Sequence, residues 1–242
     1  YLLSRFNKKN FLEQFVFTEL ITLAIIYSVF TDYNSIHRII ISVLILFSFY
    51  FLYEIGGLFN DLYALKDKEL NPTIRVKPGI KINIYIFILI RLAFFVVITD
   101  YIYNIIHLQQ WIIIHYYLMG IVTLVYFLHT LVKTEYRVIT FIILKSLKIF
   151  TLLSVIYLNV SNIVFINLFI VLFISDSLKK TLSYAQDKIV LVNLNSFLRT
   201  SKLYYFSVAF IVSLIIDTNS KVWIIPSYYL LIFLCKRASE SI

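Results

Sequence analysis

Residues 38–59 read RIIISVLILFSFYFLYEIGGLF, and residues 60–78 continue NDLYALKDKELNPTIRVKP. The first segment is almost entirely apolar and has about the twenty residues that a helix needs to cross a bilayer. The second segment carries four basic and three acidic side chains. Together the two segments predict a membrane-spanning helix that ends in a charged segment at the membrane surface.

The rest of the chain has the same apolar character. Apolar residues make up 61% of the 242 residues, charged residues make up 14%, and the mean hydropathy is +0.88. These values exclude an ordinary soluble domain. Only four Gly and three Pro interrupt the apolar runs, which favours helices over a transmembrane barrel. We therefore predict an all-α polytopic membrane protein with about eight transmembrane helices. The predicted spans are 11–30, 38–59, 82–103, 109–132, 138–158, 160–175, 203–217 and 221–235.

The basic residues divide unequally between the connections of these helices. They crowd both termini and the connections after the second, fourth and sixth helices, whereas the connections on the other face have only Arg38 and Lys221. Since basic connections stay cytoplasmic, we expect both termini on that side, in a bacterial inner membrane. This bias and the attraction of membrane lipids account for the net charge of +9, so no nucleic acid is expected as a partner. A single cysteine, Cys235, excludes an intrachain disulfide and a Cys-rich metal site.

Two cytoplasmic segments, 60–81 and 176–202, hold most of the polar side chains of the single membrane domain 1–242. They follow the second and sixth predicted helices, so the chain divides into two four-helix halves with one such segment each. We expect a substrate site between the two segments.

The first of these segments offers both oxygen ligands and cations. Asn60, Asp61 and Asp67 carry side-chain oxygens of the kind that Mg²⁺ prefers when it bridges carboxylates to substrate phosphates. Arg75 and Lys77 could meet the remaining phosphate oxygens, the arginine through a bidentate fork and the lysine as a point charge.

The second segment repeats the mixture. On a helix, Asp176, Lys180, Tyr184 and Asp187 are spaced by four, four and three residues, which places them on one face. This pattern predicts a second group of metal-binding and phosphate-binding side chains.

Several polar residues fall inside the predicted spans. Glu54 predicts a polar partner, because an intramembrane carboxylate is costly. Lys145 and Lys148 are three residues apart and could reach one phosphate or extend toward the membrane surface. His115 and His129 have no second ligand at a metal-binding spacing, so polar packing between helices is the favoured interpretation.

At the two polar segments the chain resembles the UbiA superfamily of intramembrane prenyltransferases. Members carry an Asn-Asp-x-x-Asp-x-x-x-Asp motif after helix two and a second Asp-rich motif after helix six. Asn60-Asp61 with the run NPTIRVKP at 71–78 is most similar to the polyprenyl-phosphate phosphoribosyltransferase branch, where His-Pro-Thr-x-Arg-x-Arg-Pro follows Asn-Asp at the same distance. Residues 184–186, Tyr-Ala-Gln, resemble a Tyr-Ala-Glu of that branch.

This sequence departs from the family pattern within the first motif. The second and third aspartates are replaced by Ala64 and Lys68, with Asp67 one place early and Glu69 one place late. The second motif has Asp176 and Asp187 but no closely spaced aspartate cluster of the kind found in aromatic prenyltransferases.

The resemblance implies a lipid tail among the helices, phosphates at the cytoplasmic segments, and Mg²⁺ assisting the departure of pyrophosphate. In the phosphoribosyl branch, the phosphate of a polyprenyl phosphate attacks the anomeric carbon of a phosphoribosyl pyrophosphate. Three alternatives remain open: prenyl transfer to a small acceptor, an intramembrane terpene cyclase, and a non-catalytic homologue that binds a lipid phosphate or a membrane partner. The candidate residues are Asn60, Asp61 and Asp187 for catalysis; Arg75, Lys77, Lys145, Lys180 and Tyr184 for phosphate binding; and Asp61, Asp67, Asp176 and Asp187 for Mg²⁺.

Overall fold

The structure, a computed structural model, describes residues 14–67, 83–133, 136–188, 202–217 and 219–240. Within these ranges every regular element is a helix, which confirms the all-α prediction for the described part of the chain. A π-helical segment, Gln14–Leu20, leads directly into the first α-helix, and a second, Phe173–Leu178, joins two others. The α-helices are α1 (Ile21–Phe30), α2 (Ser35–Asp67), α3 (Ile84–Ile106), α4 (Gln109–Leu131), α5 (Arg137–Leu152), α6 (Ser154–Tyr157), α7 (Asn162–Leu172), α8 (Lys179–Lys188), α9 (Lys202–Ile216) and α10 (Ile224–Glu240).

Four helical stretches of the described residues are long and apolar enough to cross a bilayer. They are Ser35–Asn60, Ile84–Ile106, Gln109–Leu131 and Asn162–Ala185. Shorter apolar helices cover Phe15–Phe30, Lys202–Ile216 and Ile224–Cys235. These lengths and compositions are compatible with a membrane protein. The count of eight spans, the division into two four-helix halves and the membrane topology stay predictions.

Local side-chain chemistry fixes several helix ends. The Asn83 side chain accepts a hydrogen bond from the backbone N–H of Ile86 at 3.2 Å, which caps the start of α3. The same helix ends at His107, whose φ of 56° lies in the left-handed region and whose N–H donates to the Tyr103 carbonyl at 2.7 Å. Helix α4 begins two residues later, so this short connection makes α3 and α4 neighbours.

Helix α2 is the centre of the first group of helices, since it contacts α1, α3, α4 and α5. Fully buried apolar side chains along it, such as Ile45 and Phe49, join the same core as Ile102 of α3 and Trp111 of α4. A second group consists of α7, α9 and α10, and α10 also packs against α1. Helix α5 lies where the two groups meet, because it contacts α2 and α4 on one side and α7 and α8 on the other.

Both polar segments begin as helix. Helix α2 continues past Asn60 to Asp67, and the stretch from Phe173 to Lys188 is continuously helical. The helical geometry brings Asp176 and Lys180 together as an ion pair four residues apart, which stabilises the turn that they share.

Candidate functional site

A cluster of charged side chains lies where the first π-helical segment, α2 and α5 meet. The Lys148 ammonium lies 2.6 Å from Oε1 of Glu19 and 3.2 Å from the hydroxyl of Tyr50. The same Tyr50 hydroxyl donates a hydrogen bond of 2.5 Å to Oε2 of Glu19. All three side chains lie in the packed interior, so the charges of Glu19 and Lys148 neutralise each other and both are hydrogen bonded.

The second ion pair of the cluster comes from the helix that contains the second π-helical segment. Lys180 donates to Oδ1 of Asp176 at 2.7 Å. Lys148 and Lys145 of α5 are further cations close enough to act on the Asp176 carboxylate. The structure therefore brings together Asp176, Lys180 and Lys145, three residues that were predicted as parts of one site.

Lys145 differs from the other two lysines of the cluster. It forms no ion pair with any carboxylate that the structure describes, and its ammonium lies 5.2 Å from the ring centre of Phe141. Its charged neighbours are Lys148, Lys180, Asp176 and Glu19. Lys145 is thus half-buried between two other lysines and two carboxylates.

The ring of Phe141 links Lys145 to Tyr184. The two aromatic rings are stacked with their centres 4.4 Å apart and their planes 13° apart. The Tyr184 hydroxyl lies 3.5 Å from Nε2 of His129, whose Nδ1 lies 2.7 Å from the Thr140 hydroxyl. His129 thus joins α4, α5 and α8 by polar packing, as the sequence indicated.

A further row of contacts connects Tyr184 with the end of α2 that carries the Asn-Asp motif. The rings of His129 and Tyr126 are 6.1 Å apart, and Tyr126 packs edge-on against Tyr53 at 4.8 Å. Tyr126 also covers Gly56, one turn before Asn60. The first polar motif and Tyr184 therefore lie at the same end of the helix bundle.

Glu19, Lys148 and Asp176 line a small cavity of about 40 Å³. Tyr229 closes it, with its hydroxyl bonded to the Thr18 carbonyl at 3.0 Å and accepting from the Thr22 hydroxyl at 3.1 Å. A water molecule occupies about 30 Å³ of liquid. The cavity is therefore large enough for a solvent molecule.

The structure describes less of the surroundings of the other predicted site residues. Asn60 is half-buried near the end of α2. The backbones of Asp61, Asp67 and Asp187 are helical, and the placement of their side chains lies outside what the structure describes. The segment with Arg75 and Lys77 lies outside the described residues altogether.

The surroundings of Asp176 do not fit the predicted Mg²⁺. Its carboxylate is paired with Lys180, and two more ammonium groups act on it, so a dication there would face three positive charges. The described residues contain no group of three or more His, Cys, Asp or Glu side chains that could hold a metal ion. Metal binding by Asp61, Asp67 and Asp187 stays a prediction.

Sequence reasoning missed Glu19 and Tyr50 as members of the cluster. Glu19 had a usable signal, because a carboxylate in an apolar run is costly and predicts a buried cation as its partner. Tyr50 had no such signal, since it is one of 19 tyrosines in the chain. The pairing of Glu19 with Lys148 spans 129 positions in sequence, and no local pattern encodes it.

Comparison of the chain with protein-family models, with curated proteins and with solved structures gave no match.

Proposed function

We propose that this chain is a UbiA-type integral membrane transferase that acts on an isoprenoid phosphate or diphosphate. The best-supported form is phosphoribosyl transfer to a polyprenyl phosphate, at the cytoplasmic face of a bacterial inner membrane. The observation that carries the proposal is the convergence of Lys145, Lys180 and Tyr184 at the end of the bundle where α2 presents Asn60.

The site chemistry follows from the charges. Lys145 forms no ion pair with a described carboxylate, so it is proposed to bind a phosphate oxygen. Lys180 is held close by Asp176 and can share its remaining N–H donors with the same phosphate. Tyr184 lies next to this site, because its ring stacks on Phe141, which is beside Lys145. The apolar side chains on the surface of the bundle suit the isoprenoid tail.

In the proposed reaction, an oxygen of the polyprenyl phosphate forms a bond to the anomeric carbon of phosphoribosyl pyrophosphate. The bond from that carbon to the pyrophosphate oxygen breaks, and pyrophosphate leaves with the electron pair. Arg75 and Lys77 are proposed to bind the second phosphate-bearing substrate, and Asn60 to orient it. Mg²⁺ held by Asp61 and Asp187 would supply positive charge to the departing pyrophosphate.

The test is product analysis by mass spectrometry. Purified protein is incubated with phosphoribosyl pyrophosphate and a polyprenyl phosphate, with Mg²⁺ or with a chelator, and in parallel with prenyl diphosphates alone. We expect a phosphoribosylated lipid that requires Mg²⁺. A hydrocarbon or a prenyl alcohol from the diphosphate alone would instead indicate the cyclase or prenyl-transfer alternative.

Asp61→Ala sharpens this test. We expect the substitution to abolish turnover and to leave the protein folded, because Asp61 lies near the end of α2 and away from its packed middle. Thermal unfolding of the purified variant checks the fold. Full activity in Asp61→Ala would contradict the assigned role.

A second candidate function is binding without turnover. It is favoured by the replacement of two motif aspartates by Ala64 and Lys68. It is also favoured by the ion pair in which Lys180 neutralises Asp176. On this alternative the protein retains an isoprenoid phosphate or engages a membrane partner. Tight binding of the lipid with no product under any condition would select it.

A further inference from the structure

The surface of α4 that faces away from the core carries an open groove of about 510 Å³, which we call the α4 groove. It is lined by Ile113, Tyr116, Tyr117, Gly120, Ile121 and Leu124. These residues recur every three or four positions, so they form one face of the helix over about three turns. The groove therefore follows the axis of α4 for about 16 Å.

Gly120 leaves the backbone of α4 open in the middle of the groove. A methyl group added there would meet nothing within 4 Å, whereas the side chains of Tyr117 and Leu124 stand exposed on either side. In a membrane, such a glycine lets a second helix approach closely, because no side chain holds the two backbones apart. Among the four long apolar stretches of the described residues, α3 and α4 are also the least buried.

Asp100 of α3 is an exposed carboxylate beside the α4 groove. It is close enough to act electrostatically on the hydroxyl of Tyr116, and Phe95 of the same helix packs edge-on against the Tyr116 ring at 5.5 Å. The Asn104 side chain donates to Oδ2 of Asp100 at 3.5 Å. No lysine or arginine that the structure describes forms an ion pair with this carboxylate.

Asp100 lies inside the apolar stretch and not at its end. Helix α3 has 23 residues and is about 34 Å long, slightly more than the roughly 30 Å of bilayer hydrocarbon. Asp100 is about 9 Å before the end of this helix at Ile106. Helical side chains lean toward the N-terminus, so the carboxylate is directed toward the middle of the stretch. A charge at this depth on the outer surface of a helix is costly unless it is paired.

The depth of Asp100 selects the kind of cation that can pair with it. The amine of a lipid headgroup stays near the membrane surface, whereas a lysine or arginine of a neighbouring helix can lie inside the hydrocarbon region. A helix also fits the α4 groove, which is apolar and has a glycine at its centre. Since the chain has a net charge of +9, it has no general attraction for a cation, and the attraction has to be local.

We propose that the α4 groove and Asp100 form a docking site for a transmembrane helix of another membrane protein, which carries one lysine or arginine within its apolar run. The apolar side of that helix packs over Gly120, and its cation pairs with the Asp100 carboxylate. This interaction surface is independent of the proposed function, because it uses none of the residues assigned to phosphate binding.

The test measures the binding of synthetic transmembrane peptides to the purified full chain in phosphatidylcholine vesicles by fluorescence energy transfer. The donor is attached to Cys235, the single cysteine, which is exposed. Three peptides share a leucine- and alanine-rich sequence of about 21 residues. They differ at one position, about a third of the way along, which is lysine, leucine or glutamate. We expect the lysine peptide to bind about tenfold more tightly than the leucine peptide, and the glutamate peptide to bind most weakly.

Two variants assign this preference to the site. Asp100→Asn keeps the size of the side chain and removes its charge, so the lysine and leucine peptides should bind it equally. Gly120→Leu fills the groove and should weaken both peptides about tenfold. Asp32→Asn, which removes an exposed acid from the connection before α2, is the matched control and should keep the original preference. Both site residues are exposed, so thermal unfolding should show that the variants fold.

Equal binding of the lysine and leucine peptides to the original chain would overturn the inference, as would a lysine preference that survives Asp100→Asn. Two other occupants of the groove are outcomes of the same measurement. If phosphatidylethanolamine in the vesicles displaces the lysine peptide, the carboxylate binds a lipid amine. If donor-labelled and acceptor-labelled copies of the chain show energy transfer that Gly120→Leu abolishes, the groove binds a second copy. Either result also overturns the inference.

Discussion

Two ion pairs in this protein are both largely buried and differ in what surrounds them. Arg91 and Glu54 are 2.8 Å apart with side-chain exposures of 12% and 0%, and Lys148 and Glu19 are 2.6 Å apart with exposures of 11% and 10%. Burial alone therefore does not distinguish them. The two pairs must be compared by their neighbours.

The first pair is enclosed by aromatic side chains. The Arg91 guanidinium lies 4.9 Å from the ring centre of Phe51 and 5.0 Å from that of Phe87. These contacts satisfy the cation, and Glu54 neutralises it, so the pair ties α3 to α2 without an excess of charge. This is the polar partner that the intramembrane position of Glu54 predicted.

The second pair belongs to a network. Lys148 and Glu19 share Tyr50 and border a cavity. They lie close to Asp176, Lys180 and Lys145, and Lys145 forms no ion pair with a carboxylate that the structure describes. A balanced pair among rings has a structural role, whereas the network around Lys148 contains the residues that we propose for anion binding. Four substitutions test this contrast and the helix packing beside it.

The largest effect is expected from Glu54→Ala. Removing the acid leaves a buried, unpaired Arg91, which costs about 3–5 kcal/mol of unfolding free energy. Denaturation of the purified protein in mixed micelles measures the loss. The double variant Glu54→Leu with Arg91→Met removes both charges and should recover most of the stability. A stable, fully folded Glu54→Ala would show that the pair does not hold α3 against α2.

Lys145→Ala should affect binding more than folding. Losing a hydrogen bond to a charged ligand costs about 1.5–3 kcal/mol, so affinity for geranylgeranyl monophosphate should fall about tenfold to a hundredfold. Lys133→Ala, which removes an exposed lysine just after α4, is the control and should bind nearly as well as the original chain. Equal losses in the two variants would point to a general effect of charge on lipid binding.

Gly56→Ala tests the contact between the end of α2 and α4. An added methyl group at Gly56 would overlap the ring of Tyr126, and such overpacking costs about 1–3 kcal/mol. Gly120→Ala is the control, because an added methyl group there meets nothing within 4 Å and alanine favours the helix. Thermal unfolding should separate the two variants. Equal melting temperatures would mean that Tyr126 can move aside.

The smallest effect is expected from Tyr184→Phe. The substitution removes a hydroxyl that lies 3.5 Å from His129 and keeps the stacked ring on Phe141, so lipid affinity should change by less than about threefold. Phe141→Ala removes the stacking partner and the ring beside Lys145 and should weaken binding more. The reverse order would assign the hydroxyl a direct contact with the lipid phosphate.

The sequence alone predicted the all-helical class and part of the candidate site. Apolar runs of bilayer length leave helices as the favoured way to satisfy the backbone, so the described segments are helical where they were expected. The four-residue spacing of Asp176 and Lys180 also predicted their shared face, because that neighbourhood is set by the helix itself. The three-residue spacing of Lys145 and Lys148 likewise placed these two lysines on one side of a helix.

Only the tertiary structure decided which charges are neutralised. Glu19 meets Lys148, and Glu54 meets Arg91, across different helices, and nothing in the local sequence selects these pairings. Helix packing makes the selection, because each buried charge needs a partner that the neighbouring helix can bring within about 3 Å. The sequence by itself determined the helices and the helix faces on which the polar residues lie. The packing of the helices determined that Lys145 forms no ion pair with any carboxylate that the structure describes.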